Sequence, residues 1–417
     1  MSNDDLLIQI NAARQCVADN RLPDALIEVE SVSVWQNDVL QLQNQLASLK
    51  EDERQRLLTP EDSRARHAQV TKQILETLSK FEDGIATLEP GNVAEHAKLT
   101  NPFHFGGSVP PDQFIGRRDT LRAIGARVGG AEPQSISLVG LGRMGKSSIL
   151  RYVHANYNEF LSQNYSYIVI YIDLMRATSH SVRGLMRLLR TEITNHWQEP
   201  WPQSDDGKLE EFDYALEALN DAGFKLVLCL DDIENLTKRK DEFDDMLEDW
   251  RSNGSHGRMA MITASKISLA DLCAAGGLTS PFYNIFSTHQ IGLLNTEDLS
   301  AVFSKYSSLS GDEKSFLSDV PGRHPFFLQM AASILWEAKG NAFTPSELKA
   351  KLATQMEPHL RKIWQGLSLD EQTLLKRRTL NNAQTNSSAL EIRLQERGLL
   401  DDCTPFSVIF ADFIQTV

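Results

Sequence analysis

Between an apolar stretch at 136–139 and an amphipathic one opening at Ile149 lies the run GLGRMGKSS, which sets Gly140, Gly145, Lys146 and Ser147 in the order G-x-x-x-x-G-K-S. Glycines at this spacing let the backbone curl until successive N–H groups face one centre, and a helix starting directly after them adds the positive end of its dipole. Such a loop wraps a phosphate chain. Gly142, Arg143, Met144 and Ser148 complete the wrap, the Lys146 ammonium reaches the β and γ oxygens, and the Ser147 hydroxyl holds magnesium.

Phosphate chemistry of this kind needs a carboxylate on a neighbouring strand to fix the metal. The apolar run 226–230 ends in Asp231 and Asp232 and supplies it. Asp231 takes the metal with Ser147, and Asp232 takes the place of the acid that polarises an attacking water, with Glu234 as a substitute two residues on. Lys146, Asp231 and Asp232 are thus the candidate catalytic set. A further apolar run, 259–262, ends in Thr263, Ala264, Ser265 and Lys266, whose polar side chains at a strand terminus either meet a γ-phosphate or mark an ordinary exit into a loop.

These residues must be positioned by strands. Short apolar runs at 136–139, 167–172, 226–230, 259–262 and, less sharply, 290–293 alternate with amphipathic stretches, which predicts an α/β fold: a parallel sheet with helices on both faces. Upstream the chain reads as all-α. Leu6, Leu7, Ile10 and Cys16 keep helical spacing. Thr59, Pro60 and Asp62 read as an N-cap, a first-turn proline and an N3 acid, and the helix they open carries Val70, Ile74, Leu78, Phe81 and Ile85 on one face. Pro90, Gly91, Pro102, Gly106 and Gly107 mark a linker between the two regions. Beyond residue 340 short helices return, with Ser368 and Glu371 at capping-box spacing and a final apolar stretch at 406–413.

Composition narrows the function classes. The 417 residues carry a formal charge of −14, so the chain does not coat nucleic acid or anionic membrane by bulk electrostatics, and residues 341–417 hold 9 basic and 9 acidic side chains. The four cysteines form no close pair, no basic-then-apolar leader opens the sequence, and no apolar run approaches the roughly 20 residues that span a bilayer. A soluble cytoplasmic protein without a membrane partner is the expectation.

The segments FIGRRDTL, GLGRMGKSSILRYV, YIVIYIDL, LVLCLDDIENL, MAMITASK and GRHPFFLQMAA stand in the order found in STAND-type signalling ATPases. Residues 101–417 resemble that family, most of all its archaeal-ATPase and origin-recognition-like relatives. The resemblance implies an ASCE P-loop NTPase domain at 111–295, a helical lid at 296–355 and a winged helix at 356–417, following a linker at 89–110. It also implies ATP or ADP with Mg2+ as cofactors. It places Gly145, Lys146 and Ser147 in the Walker A motif, Asp231 and Asp232 in Walker B, and Phe114, Ile115 and Arg117 near the adenine. Thr263 or Ser265 becomes the sensor, with Lys266 where the family commonly has Arg. Gly322, His324 and Pro325 match the lid motif that presses on the nucleotide.

Residues 390–400 then match a recognition helix and 401–413 a wing, with Lys376, Arg377 and Arg378 as the cations a duplex would need. The family preference is for locking and assembly, and DNA is the disfavoured partner. Residues 1–88 resemble, in turn, the helical effector-associated domains of bacterial conflict systems, with Leu57 where a Gly is expected. That likeness implies pairing with a like domain on a separate effector. Together the resemblances imply a slow ATPase that closes with ADP, forms a homo-oligomer with ATP and recruits an effector in defence signalling, triggered by a partner protein or a direct ligand. An origin-recognition-like DNA-binding ATPase and a scaffold that only holds nucleotide are the rivals.

Overall fold

The computed structural model describes residues 3–18, 22, 25, 26, 42, 60–87, 101–103, 105–197, 209–306, 309–338, 344–380 and 388–417. The chain divides into two compact units, Met1–Pro102 and Phe103–Val417.

In the first unit, α1 (Asn3–Ala18) packs on α2 (Pro60–Thr87). Val70, Ile74, Leu78 and Phe81 fall three or four residues apart, so they form one stripe, and it is buried with Ile10, Ala13, Cys16 and Val17 of α1 and with Leu22, Ala25, Leu26 and Leu42. Pro60 occupies the first position of α2, where its missing N–H costs nothing. Leu57, Thr59, residues 88–100 and the side chains of Leu6, Leu7, Asp62 and Ile85, all used in the sequence reading, lie outside the described residues.

The second unit runs α3 (Arg118–Val128), β1 (Ser135–Val139), α4 (Lys146–Asn156), β2 (Ser166–Asp173), α5 (Val182–His196), α6 (Leu209–Asp221), β3 (Phe224–Asp231), α7 (Glu234–Thr237), α8 (Lys240–Ser255), β4 (Met259–Ser265), α9 (Leu269–Gly276) and β5 (Phe286–Gln290). The strands form one sheet in the order β2-β3-β4-β1-β5 with every pairing parallel. Side chains alternate across it. Ile168, Ile170, Leu226 and Leu228 meet α5, α6 and α8 on one face, while Val169, Val227, Cys229 and Ile262 meet α3 and α4 on the other. Coverage on both faces explains the nearly unbroken apolar runs of β3 and β4.

The fifth strand is corrected. It lies at Phe286–Gln290, with 291–293 forming its exit rather than the strand itself. As an edge strand, paired only to β1, it is half-exposed and polar, so it has no apolar run to read.

The rest of this unit comprises α10 (Thr296–Lys305), α11 (Gly311–Asp319), α12 (Pro325–Ala338), α13 (Pro345–Gln365), α14 (Leu369–Leu380), α15 (Ala389–Glu396), the antiparallel pair β6 (Leu400–Asp401) and β7 (Thr404–Pro405), and α16 (Val408–Thr416). α13 runs unbroken through 355 and 356, where the sequence reading divided lid from terminal domain, because Leu352, Met356 and Leu360 continue one buried stripe. One core joins these residues to Phe327, Leu375, Leu394, Phe406 and Phe410. The wing read at 401–413 is also corrected: only the short β6–β7 pair is extended, and Ile409, Phe410, Phe413 and Ile414 recur at helical spacing in α16. Ser368 and Glu371 do cap α14, the Ser368 N–H donating to Glu371 at 2.8 Å and the Glu371 N–H to Ser368 Oγ at 3.3 Å. Arg378, read as a cation for nucleic acid, is buried and ion-paired to Glu391 at 2.5 Å, so it ties α14 to α15 instead. Among the described residues no helix is long and apolar enough to cross a membrane.

Candidate phosphate-binding site

β1 ends at Val139, and the chain turns into α4 through the glycine loop at the carboxyl edge of the sheet, where ligands of open α/β sheets bind. Gly145 caps α4 at φ +88°, a conformation that costs a side-chain-bearing residue about 1 kcal/mol or more. A Cβ on Gly140 would lie 2.4 Å from the Ile291 carbonyl oxygen, so only glycine lets β1 leave the sheet beside the exit of β5. Lys146 turns its ammonium back on the loop, Nζ donating to the carbonyls of Gly140 at 2.7 Å and Leu141 at 2.8 Å. Burial pulls its pKa down to about 8, against the opposing pull of Glu234, Asp231 and Asp232.

Asp231 closes β3 and is buried. Its carboxylate accepts from the Tyr171 hydroxyl at 2.8 Å. Burial raises its pKa, and the Tyr171 and Ser147 hydroxyls and Lys146 work against the rise. The Ser147 hydroxyl and the Asp231 carboxylate both line the cavity described below and are hard oxygen donors, the kind of small set Mg2+ accepts when phosphates and waters supply its remaining ligands.

Asp232 stands at φ +54°, turning the chain sharply out of β3. Its own pKa is raised by burial, then by Asp231 and Glu234. Beyond that turn, Glu234 returns to the site. Its Oε1 accepts from the Lys266 N–H at 2.8 Å, while Oε2 is buried without a hydrogen-bond partner.

A cavity of 880 Å3 opens over the loop, lined by residues 141–148, Asp231, Asp232 and Lys266, by Phe114, Ile115 and Arg117, and by His324 and Pro325. One sequence expectation is corrected here. Thr263 and Ser265 do not reach the cavity: both are buried within β4, and Ser265 Oγ donates to the Ile267 carbonyl at 2.8 Å. The polar group that β4 delivers is Lys266, one residue past the strand, free of the sheet's alternation.

Arg117 borders the cavity with Phe114 and Ile115, and its guanidinium binds backbone carbonyls. It donates to the carbonyls of Met144 at 3.0 Å, Gly292 at 2.8 Å and Leu293 at 3.2 Å, while its backbone N–H donates to Asp298 at 2.8 Å. It therefore clamps the loop, the β5 exit and α10, and burial lowers its pKa to about 10. Phe114, by contrast, presents an apolar wall, stacked on Tyr152 with centroids 4.5 Å apart.

His324 is 1% exposed, packed between Phe327 at 4.5 Å and Phe406 at 5.4 Å, and neither ring nitrogen has a partner. Burial drags its pKa down to about 3, so the ring is neutral and offers one N–H. Buried polar groups are seldom left unpaired, and one in the wall of a phosphate cavity is a ligand's natural partner. Just before it, Gly322 sits at φ +69° with the Phe406 carbonyl 1.9 Å from where a Cβ would be. Arg323 donates through two nitrogens to Asp401 and through the third to Leu294 O at 3.0 Å. One site residue escaped the sequence reading, and the role of another was not legible in it. Tyr171 carried a weak signal, as the polar-tipped aromatic two residues before the end of the strand adjoining β3, whereas the Arg117 clamp had none.

Residues 8–82 match the family model of Effector-associated domain 11. The chain carries an effector-associated domain at its N-terminus. That effector-associated domain lies within the unit Met1–Pro102, and the P-loop NTPase fold, defined by the strand order and the loop after β1, lies within Phe103–Val417. No curated protein matches the chain.

Among solved structures, a Walker-type ATPase of Pyrococcus abyssi is similar over 75% of this chain and 99% of that one, at 14% identity and a TM-score of 0.48. The ORC2 protein of Aeropyrum pernix, in ADPNP and ADP complexes, is similar over 75% and 97%, at 13% identity and a TM-score of 0.45. AMPPCP-bound DnaA of Aquifex aeolicus is similar over 70% and 81%, at 14% identity and a TM-score of 0.37.

Proposed function

We propose that the chain is a nucleotide-switched ATPase of the STAND signalling type, which assembles with ATP bound and recruits an effector through its N-terminal helical domain. The observation that carries the switch is the position of His324. It faces the phosphate cavity while its neighbours Gly322 and Arg323 are packed on Phe406 and Asp401 of the terminal hairpin. A ligand that satisfies the orphaned imidazole therefore acts on the segment that holds that hairpin.

In this reading the phosphates lie over residues 140–148 and the adenine lies toward Phe114 and Ile115. Ser147 and Asp231 hold Mg2+, which supplies neutralisation of the phosphate charge when bound. Lys146 exchanges the carbonyls of Gly140 and Leu141 for β and γ oxygens. Tyr171 keeps Asp231 oriented, Asp232 takes a proton from the attacking water, and Glu234 fixes the Lys266 backbone at the far wall. The short Asp232 side chain, on a backbone turned away from the strand, reaches that water poorly, which suits a slow switch.

The effector would bear a helical domain like residues 8–82. Duplex DNA is the weaker reading, because Arg378 is occupied by Glu391 and Lys376 lies over the Trp364 ring at 5.7 Å.

Native mass spectrometry of the full chain with ADP and with a non-hydrolysable ATP analogue tests the proposal. A shift to a larger species with the analogue alone, absent in Lys146→Ala, is expected. The same mass in both states would overturn the switch.

A further inference from the structure

The nucleotide reading uses the loop, the acids and His324, yet the same 880 Å3 cavity runs on to a wall formed by the second half of α13 and the residue after α15, where Pro358, His359, Lys362 and Arg397 line it. Small-ligand sites span roughly 300–1,000 Å3, so this cavity stands near the top of the range. Its hub is Phe326. The Arg143 guanidinium lies 5.0 Å from that ring's centroid, and His359 meets the same ring edge-on at 4.8 Å. Arg143 thus belongs to the glycine loop by sequence but points its side chain away from the loop's centre, also donating to Gly106 O at 3.2 Å.

Burial, and after it Arg143 and Lys362, lower the proton affinity of His359, and all three side chains line this end of the cavity. Arg397 joins from a third element, held by Glu371. The acids among the cavity's lining residues are Asp231 and Asp232, both at the Lys146 end. Arg397 is balanced by Glu371, whereas Arg143 and Lys362 face the cavity with no carboxylate among the lining residues at this end, so an anion is the complement this wall lacks.

We propose that this half of the cavity is a second anion subsite, which takes a small phosphorylated ligand beside the nucleotide, with Arg143 and Lys362 as donors and the Phe326 ring as a platform. It rests on the nucleotide reading only for what occupies the other half.

The test is a calorimetric titration of inorganic pyrophosphate into the full chain saturated with ADP, with Mg2+ in excess over both, while a fluorescent ADP analogue reports whether nucleotide stays bound. One pyrophosphate should bind per chain with the nucleotide retained. Lys362 is exposed, so Lys362→Glu should fold normally, weaken pyrophosphate about ten-fold or more and leave ADP affinity unchanged, while Lys362→Arg keeps wild-type binding. Displacement of ADP by pyrophosphate, no binding to the ADP-loaded chain, or indifference to Lys362→Glu would each overturn the subsite. If wild type failed to bind ADP yet held pyrophosphate in a Lys362-dependent way, the nucleotide reading would fall and the subsite would stand.

Discussion

Lys146 is the side chain whose state changes most with what fills the site. With its ammonium on two carbonyls and a pKa near 8, it is charged below that value and increasingly neutral above it. Bound phosphate favours the charged form, so nucleotide affinity should be constant below about pH 7 and fall as pH rises through about 8, by up to roughly ten-fold per unit. Calorimetry across that range checks the sign, and Lys146→Ala should bind weakly and without this dependence. Tyr171→Phe removes the hydroxyl that Asp231 accepts at 2.8 Å. A hydrogen bond to a charged group contributes about 1.5–3 kcal/mol, so the Mg2+ concentration needed for half-maximal nucleotide binding should rise by about ten-fold to a hundred-fold. Asp231→Asn should lose the Mg2+ dependence altogether. Asp232→Glu should raise steady-state turnover by lengthening the reach to water, and an unchanged or lower rate would remove Asp232 from that role.

At the level of elements, the decisive contacts are those that α12 and its leading turn make with the terminal hairpin. A Gly322→Ala methyl would sit 1.9 Å from the Phe406 carbonyl oxygen, on a backbone at φ +69°. Strain of both kinds, of order 1–3 kcal/mol for the backbone conformation with overpacking added, should lower the melting temperature by several degrees in differential scanning calorimetry. Arg323→Ala is milder for the fold but breaks the half-buried pair with Asp401. If the hairpin restrains the nucleotide segment, a fluorescent ADP analogue should dissociate faster from Arg323→Ala than from wild type in stopped flow. An equal rate would separate the hairpin from the switch.

The whole molecule consists of two units with separate cores. Among the described residues the N-terminal core holds twelve buried apolar side chains, and residues 1–100 carry 10 basic and 17 acidic side chains. Residues 1–88 expressed alone should be soluble and helical by circular dichroism, and should retain an effector that carries a like domain. The chain lacking them should keep wild-type ADP affinity and melting temperature. An insoluble fragment whose removal lowers that temperature would make the segment structural.

Local chemistry was legible from the sequence because it is written in consecutive residues. The glycine loop, the lysine and serine that follow it, the acids closing the run 226–230 and the capping pair Ser368 and Glu371 each depend on neighbours within a few positions. The parallel sheet was legible too, since strands covered on both faces are apolar throughout. What only the tertiary structure decided depends on which distant elements meet. β5 is an edge strand and so carries no apolar signature, and Thr263 and Ser265 are buried within β4 while Lys266, past its end, reaches the cavity. Arg117 binds carbonyls contributed by the loop after β1 and the exit of β5, which lie far apart in the chain. His324 is left without a partner because Phe327 and Phe406 enclose it with apolar surface, and no spacing along the chain encodes that enclosure.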